Sequence, residues 1–206
     1  LPHMSVDVQS LDIDFLSFSI HKMCGPSGMG GLWGKYEHLD GLRTIQSGGQ
    51  TVTASTYKEA SWAKPPARFE GGLGNFSGMM ATGAAIDYLS KIEMDQVKEH
   101  EIRLNRIMTK GVKDLPGLKI IGPEDPAKRG GICSIIMDKL PAHDVAILLD
   151  EAAGVMVRSG QHCVHSWFEH HGHKQGSLRA SAYFYNTEEE VKRFVDTLTE
   201  IVHTLG

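Results

Sequence analysis

The chain has 206 residues, of which 41% are hydrophobic, and a formal net charge of −4 at pH 7. This length and composition suffice for a buried core, and the lack of a basic stripe or a membrane-length apolar run argues against nucleic-acid and membrane partners. The first residues lack a secretory leader pattern. The three cysteines, Cys24, Cys133 and Cys163, are widely spaced, which argues against a disulfide framework. Both observations predict a reducing, cytoplasmic environment.

The first third of the chain has a strand, loop, strand pattern. Mostly apolar and small residues over 14–19 predict a buried strand, the Gly/Pro/Ser cluster over 25–31 predicts a loop, and residues 31–35 predict a second short strand. Residues 43–74 show no periodicity, which indicates a functional excursion that lies outside the core.

Helices and strands alternate along the rest of the chain. Ser77 is the predicted N-cap of the first helix, and Thr187 with Glu190 forms a capping box for the last. Periodicity and the Gly and Pro stops predict helices over 77–92, 95–115, 142–153 and 187–205, and strands over 118–121, 132–137, 155–158 and 177–184.

A change of pattern near residue 83 predicts a domain boundary. Residues 1–82 are interpreted as the remnant of a strand-and-loop domain, and residues 83–206 as a small α+β domain. Because the strand signal begins almost at once after Leu1, with no opening element before it, we expect the chain to be the C-terminal part of a longer protein.

Lys22 lies between the first predicted strand and the glycine-rich loop. A lysine at the end of a hydrophobic strand, with small residues behind it, suits a Schiff-base site for pyridoxal phosphate. Such a site also needs phosphate donors, and Ser19 and His21 flank Lys22. The alternative is an ordinary exposed loop lysine, since the glycines lack the Gly-Lys-Ser/Thr ending of a phosphate-binding loop.

Cys163 lies among polar residues, with His162 and His165 near it and Arg158 a few positions upstream. Neighbouring cations lower the pKa of a thiol, and the thiolate is the reactive form. We therefore predict a nucleophilic role for Cys163, the alternative being a buried structural cysteine. The other two cysteines lie in apolar or glycine-rich contexts and are expected to be structural.

The same region gives a competing interpretation as a zinc site in a non-enzymatic metal-binding or interaction module. Histidine-rich tracts can bind zinc, but no Cys-x-x-Cys is present and the stretch 170–173 can equally form an exposed loop, so we assign no metal ligand. The candidate ligands are Cys163, His162, His165, His170, His171 and His173.

Arg158 and Arg179 are candidate carboxylate ligands. The planar guanidinium group binds a carboxylate at two points, as recognition of an amino-acid substrate requires. Arg179 lies near the start of a predicted strand, which would hold it rigidly. The alternative for either arginine is a surface salt bridge.

Four segments together resemble cysteine desulfurases, which belong to the class V aminotransferases. The pattern is most similar to the group that also includes selenocysteine lyases, and the segments occur in the order of the family. The resemblance spans nearly the whole chain, which would be about the C-terminal half of a family member. The segments are Ser-Ile-His-Lys with its Gly-Pro-Ser-Gly loop (19–28), Arg-Phe-Glu-Gly-Gly (68–72), Arg-Ser-Gly-Gln-His-Cys (158–163) and Arg-Ala-Ser-Ala-Tyr-Phe-Tyr-Asn-Thr (179–187).

The resemblance implies an α/β fold: the C-terminal part of the large domain of a fold type I pyridoxal-phosphate enzyme, followed by a small α+β domain. It implies that Lys22 holds pyridoxal 5'-phosphate and that Ser19 and His21 bind the phosphate. The aspartate and histidine that contact the cofactor ring in the family would lie upstream of Leu1, and Leu73 occupies the place of a phosphate-binding threonine. The 206 residues alone are therefore expected to show little or no activity.

The implied reaction removes sulfur from L-cysteine. Cys163 would receive the sulfur as a persulfide, Arg179 would bind the substrate carboxylate, and Arg158 would support the cysteine loop. The products would be L-alanine and a persulfide that supplies iron–sulfur cluster assembly or other sulfur transfer, in a cytoplasmic homodimer that uses a separate sulfur-acceptor protein. A selenocysteine lyase or another class V aminotransferase is the nearest alternative.

Overall fold

The computed structural model describes residues 1–206, which form a mixed α/β protein of two compact units, Leu1–Glu93 and Met94–Gly206. The mixed α/β class agrees with the prediction. The sequence placed the boundary between 82 and 83, but a continuous helix runs through that point and the division follows its end. The assignment of the two segments to a large and a small domain stays a prediction. None of the helices is long and apolar enough to cross a membrane.

The first unit begins with an antiparallel strand pair, β1 (Phe15–Ser19) and β2 (Gly30–Gly34), followed by a short helix, α1 (Tyr36–Gly41). Both strands confirm the predicted ranges to within a residue, but β1 is not buried as predicted, because each of its residues is exposed or half-buried. The glycine-rich stretch 25–31 forms the connection between them, as predicted, and enters β2 at its end. The helix α1 was not predicted, because six residues are too few to show a helical period.

The excursion over 43–74 contains a hairpin that the sequence did not predict, β3 (Val52–Ser55) and β4 (Ala60–Trp62). Its strands are short and mostly exposed, so no hydrophobic alternation reveals them. Arg68 ties this segment to the preceding helix: its guanidinium donates to Asp40 Oδ1 at 2.7 Å and to the Ala63 carbonyl at 3.0 Å. Polar anchoring thus replaces hydrophobic packing here.

The unit ends with α2 (Phe76–Ile92). The prediction of Ser77 as its N-cap was wrong. Asn75 is the cap, because its side chain accepts a hydrogen bond from Gly78 N at 3.0 Å, and the Ser77 hydroxyl donates to Asn75 at 2.9 Å.

The second unit is a four-stranded antiparallel sheet, in the order β5-β6-β8-β7, with helices packed on one face. Side chains of β6 and β8 that point to this face, such as Ile135 and Leu178, are completely buried against them. The elements are α3 (Met94–Val112), β5 (Leu118–Ile121), β6 (Ile132–Met137), α4 (Ala142–Ala153), β7 (Arg158–Gly160), α5 (His165–His170), β8 (Ser177–Ser181) and α6 (Glu188–Leu205).

Most of these elements confirm the sequence prediction, including the capping box: Thr187 Oγ1 accepts from Glu190 N at 3.2 Å and Glu190 Oε2 accepts from Thr187 N at 2.9 Å. Two of the predicted strands have different bounds in the structure. The strand predicted over 155–158 pairs only from Arg158 onward, and the strand predicted over 177–184 ends at Ser181. The helix α5 was not predicted, because its six residues carry no apolar period.

Candidate active site

Lys22 lies in a 3-10 turn, Ile20–Met23, that directly follows β1. Ile20 anchors the turn: its side chain is 3% exposed, and its backbone bonds to Met29 O and Gly25 N, each at 3.1 Å. The turn leaves the side chain of Lys22 exposed to solvent. A buried apolar residue thus fixes the backbone that presents the amine.

Ser19 and His21 flank this amine. Ser19 is the last residue of β1, paired with Gly30, and His21 is exposed in the same turn as Lys22. A primary amine, a hydroxyl and an imidazole are the donors that an aldehyde-bearing phosphate cofactor requires, so this set fits pyridoxal phosphate in its chemistry. The structure therefore gathers all three predicted cofactor residues at one end of a strand pair.

Cys163 occupies a tight turn in the second unit. The Val164 amide donates to Gln161 O at 2.9 Å, and the two central residues, His162 and Cys163, have φ of 49° and 65°. Two positive φ values are the signature of a type I′ turn, which ordinarily contains asparagine or glycine. Each left-handed residue costs roughly 1–2 kcal/mol, so contacts elsewhere in the loop must hold this turn.

The turn exposes the thiol next to a cation. Cys163 is exposed, and Arg158 Nη2 lies 3.8 Å from its Sγ. The guanidinium group of Arg158 therefore lies within weak hydrogen-bonding distance of the sulfur.

His162 points from the same turn into the protein. Its Nε2 is hydrogen-bonded to Ser177 Oγ at 2.9 Å, and Ser177 is completely buried. Burial, and then the guanidinium groups of Arg179 and Arg158, lower the pKa of His162 below its ordinary value. The imidazole is therefore neutral at pH 7. The sequence singled out His162 only as a neighbour of the thiol or a metal ligand, because its contact with Ser177 depends on tertiary structure.

Arg158 and Arg179 lie directly opposite each other on β7 and β8. They are on the face of the sheet away from the helices, since Leu178 and Ala180 of β8 point into the core. Neither arginine has a carboxylate partner, and Arg179 Nε is buried without any hydrogen bond. Two unneutralised guanidinium groups on neighbouring strands are chemically suited to bind an anionic group such as a carboxylate.

The loop that carries Cys163 is closed at its base by two glycines. Gly160 ends β7, and Gly176 precedes β8, with φ of 108° and 77°. A Cβ on Gly176 would collide with the backbone of Gly160, lying 2.8 Å from its Cα. Gln161 Nε2 also donates to Lys174 O across the loop at 2.8 Å. The loop is therefore compact and tied to the sheet edge.

The other two cysteines lie in different surroundings from Cys163. Cys133 is completely buried, and burial raises the pKa of its thiol, as expected for a structural cysteine. Cys24 is exposed, at the end of the turn that carries Lys22. No three His, Cys, Asp or Glu side chains lie close enough together in this structure to hold a metal ion.

Comparisons with known proteins identify the family. The model of the family "Aminotransferase class-V" matches residues 1–194. A probable cysteine desulfurase of Streptomyces coelicolor is 38% identical over 205 residues, which are 100% of this chain and 49% of that protein. The chain thus spans about half the length of the curated relatives it matches, and its place in the C-terminal half stays a prediction.

Solved structures agree with this result. The apo structure of a cysteine desulfurase from Thermococcus onnurineus NA1 superimposes with a TM-score of 0.92 at 35% identity, covering 99% of this chain and 50% of that one. The cystine C-S lyase C-DES shares the fold, with a TM-score of 0.77 at 19% identity over 97% of this chain and 49% of that one. A structure of a C-DES mutant has glycine covalently linked to the PLP cofactor. The resemblance seen in the four sequence segments is confirmed: this chain belongs to the class V aminotransferase family.

Proposed function

We propose that the protein is a pyridoxal-phosphate-dependent cysteine desulfurase, which converts L-cysteine to L-alanine and leaves the sulfur as a persulfide on Cys163. The observation that carries this proposal is the arrangement in the second unit. An exposed thiol lies in a constrained turn, 3.8 Å from Arg158, and Arg158 is paired across the sheet with Arg179. Sulfur acceptance and carboxylate recognition are thus combined on one sheet edge.

In this proposal the first unit supplies the cofactor residues. Lys22 would hold pyridoxal phosphate through its Nζ, and the Ser19 hydroxyl and the His21 imidazole would bind its phosphate. When bound, the cofactor stabilises the negative charge that develops on the substrate α-carbon. Lys22 Nζ, exposed at the end of β1, would remove and return the proton at that carbon.

The second unit would bind the substrate and accept its sulfur. Arg179, whose guanidinium group has no carboxylate partner, would bind the substrate carboxylate, and Arg158, 3.8 Å from Cys163 Sγ, would support the cysteine loop. The Cys163 sulfur attacks the substrate sulfur, so that an S–S bond forms while the carbon–sulfur bond of the substrate breaks. Its electron pair stays on the carbon, which gains a proton to give L-alanine.

We further infer a cytoplasmic homodimer whose persulfide passes to a separate sulfur-acceptor protein for iron–sulfur cluster or other sulfur-compound synthesis. The compact loop between Gly160 and Gly176 supports transfer to a separate protein. A thiol on a short loop that is tied to the sheet cannot travel far, so the acceptor protein has to dock beside it. Within this assignment, residues 1–82 belong to the large cofactor-binding domain and residues 83–206 to the small domain.

The test uses the full-length protein loaded with pyridoxal phosphate and supplied with L-cysteine, with alanine and sulfide both quantified. We expect Cys163→Ala to abolish desulfuration, whereas Cys24→Ser, which alters the other exposed thiol, should retain it. Lys22→Ala should lose the visible absorption of the bound cofactor. Full alanine and sulfide production by Cys163→Ala would contradict the proposal, and a transamination that survives in that variant would indicate another class V activity.

A further inference from the structure

The turn at Cys163 has an unfavourable local sequence. Its central residues, His162 and Cys163, both adopt left-handed φ values without glycine or asparagine at either position. A turn of this kind does not persist on local preference alone, so a tertiary contact must stabilise it.

His162 provides such a contact. Its imidazole reaches Ser177 Oγ at 2.9 Å and lies beside Phe168, with ring centroids 6.1 Å apart. Ser177 and Phe168 are 0% and 3% exposed, so both partners of the imidazole are fixed in the protein interior. Apart from the 3.8 Å contact between Arg158 and the exposed Cys163 thiol, the other contacts of the loop, at its glycine base and between Gln161 and Lys174, lie outside the two central residues of the turn.

The anchor shares a strand with the predicted carboxylate ligand. Ser177 and Arg179 are two residues apart on β8 and therefore point to the same face. A hydrogen bond from the turn to Ser177 thus fixes the thiol relative to Arg179 through one rigid element.

We propose that His162 is a positioning residue: through Ser177 it holds the left-handed turn that sets the Cys163 thiol beside Arg158 and at a fixed distance from Arg179. The consequence for turnover rests on the proposed desulfurase function, whereas the effect on the turn itself does not. His162 takes no proton and touches no substrate in this proposal.

The first measurement is a double-mutant cycle on the full-length holoenzyme, with His162→Ala, Ser177→Ala and the double variant. Because a displacement of about 1 Å can cost about a hundredfold in rate, we expect each single variant to lower kcat at least about tenfold while KM for L-cysteine changes less than about twofold. The double variant should lose no more than either single one, since both remove the same bond. Additive losses would overturn the proposal.

A matched control is available on the opposite face of the same sheet. His143 Nδ1 is hydrogen-bonded to Ser159 Oγ of β7 at 3.2 Å, a similar His–Ser pair that does not touch the turn. His143→Ala should therefore leave kcat unchanged. If it lowers kcat as much as His162→Ala does, general loosening of the sheet explains both effects and the positioning role is refuted.

The second measurement does not depend on activity. Hydrogen exchange of the Val164 amide, which closes the turn onto Gln161 O, should become at least roughly tenfold faster in His162→Ala and Ser177→Ala but not in His143→Ala. Faster exchange in a protein that shows no desulfuration would uphold the positioning role while refuting the proposed function. Unchanged exchange in His162→Ala would refute the positioning role whatever the activity.

Conservative variants separate the side-chain bond from the backbone preference. His162→Gln keeps a group that can bond Ser177, whereas His162→Asn tolerates the left-handed backbone but is too short to reach it. We expect His162→Gln to recover most of the lost kcat and Val164 protection, and His162→Asn to resemble His162→Ala. The reverse order would show that backbone preference alone holds the turn, and the proposal would fail.

Discussion

Arg158 and Arg179 place like charges opposite each other on neighbouring strands, with no carboxylate between them. Such a pair destabilises a sheet by a few tenths of a kcal/mol to about 1 kcal/mol. We expect Arg179→Gln to raise the free energy of unfolding by about that amount while raising KM for L-cysteine at least tenfold, because a charged hydrogen bond contributes about 1.5–3 kcal/mol. Urea unfolding and steady-state kinetics on the same preparation measure both effects. A variant that loses stability and binding together would show that the pair is structural.

The pKa of His162 gives a pH dependence of defined sign. Burial and the neighbouring arginines lower it, so the folded protein binds fewer protons than the unfolded chain between the lowered value and about 6.5. Stability must therefore fall as the pH drops through this window. We expect the unfolding free energy of the native protein to fall more between pH 7.5 and pH 5.5 than that of His162→Gln, which does not titrate there. Equal decreases in denaturant titrations would exclude this contribution.

At the scale of elements, the loop between β7 and β8 depends on close contact at its base. Gly176→Ala would force a Cβ into the backbone of Gly160, and its φ of 77° adds left-handed strain. Gly172 lies in the same loop with φ of 75°, but a Cβ there would meet nothing within 4 Å. The two positions therefore separate collision from backbone strain.

We expect Gly172→Ala to cost about 1 kcal/mol of stability, from backbone strain alone. Gly176→Ala should cost clearly more, about 2–4 kcal/mol, and should open the loop that carries Cys163. Thermal unfolding gives the stability difference, and hydrogen exchange over 161–175 reports the opening. Equal losses of stability in Gly172→Ala and Gly176→Ala would mean that the backbone at the base of the loop moves to accommodate the added Cβ without further strain.

At the scale of the whole molecule, the features that could be predicted from the sequence are those that depend on local residues. The capping box of Thr187 and Glu190 needs only a three-residue spacing, and the apolar run over 132–137 needs only composition, so both were predicted. Lys22 was predicted as a candidate from its place between a strand and a glycine-rich loop, which is also local.

The features that escaped prediction depend on register or on distant contacts. The pairing of Arg158 with Arg179 requires the alignment of two strands that are separated by a helix-containing loop, and the first strand was predicted to begin three residues and to end two residues too early. The bond between His162 and Ser177 likewise joins the turn to a strand fifteen positions away. The candidate residues of the second unit could therefore be predicted from local sequence, whereas the arrangement that relates them could not.

The two units differ sharply in how much apolar surface they bury. Of the 23 buried hydrophobic residues, three (Ile20, Ala85 and Leu89) lie in the first unit and twenty in the second. Large apolar side chains such as Ile45 and Leu73 are 91% and 86% exposed in the first unit. A unit with so small a core cannot offset the conformational entropy of folding, whereas the second unit has a core typical of an independent domain.

We therefore expect residues 94–206, produced alone, to unfold in a single cooperative urea transition with the same midpoint by circular dichroism and by the fluorescence of Trp167. Residues 1–93 alone should show no cooperative transition and should bind a hydrophobic dye, because their apolar side chains stay exposed. A matched comparison uses Leu198→Ala, in the core of the second unit, which should lower the urea midpoint of residues 94–206 by an amount equivalent to about 2–5 kcal/mol. A cooperative transition for residues 1–93, or its absence for residues 94–206, would refute this division of stability.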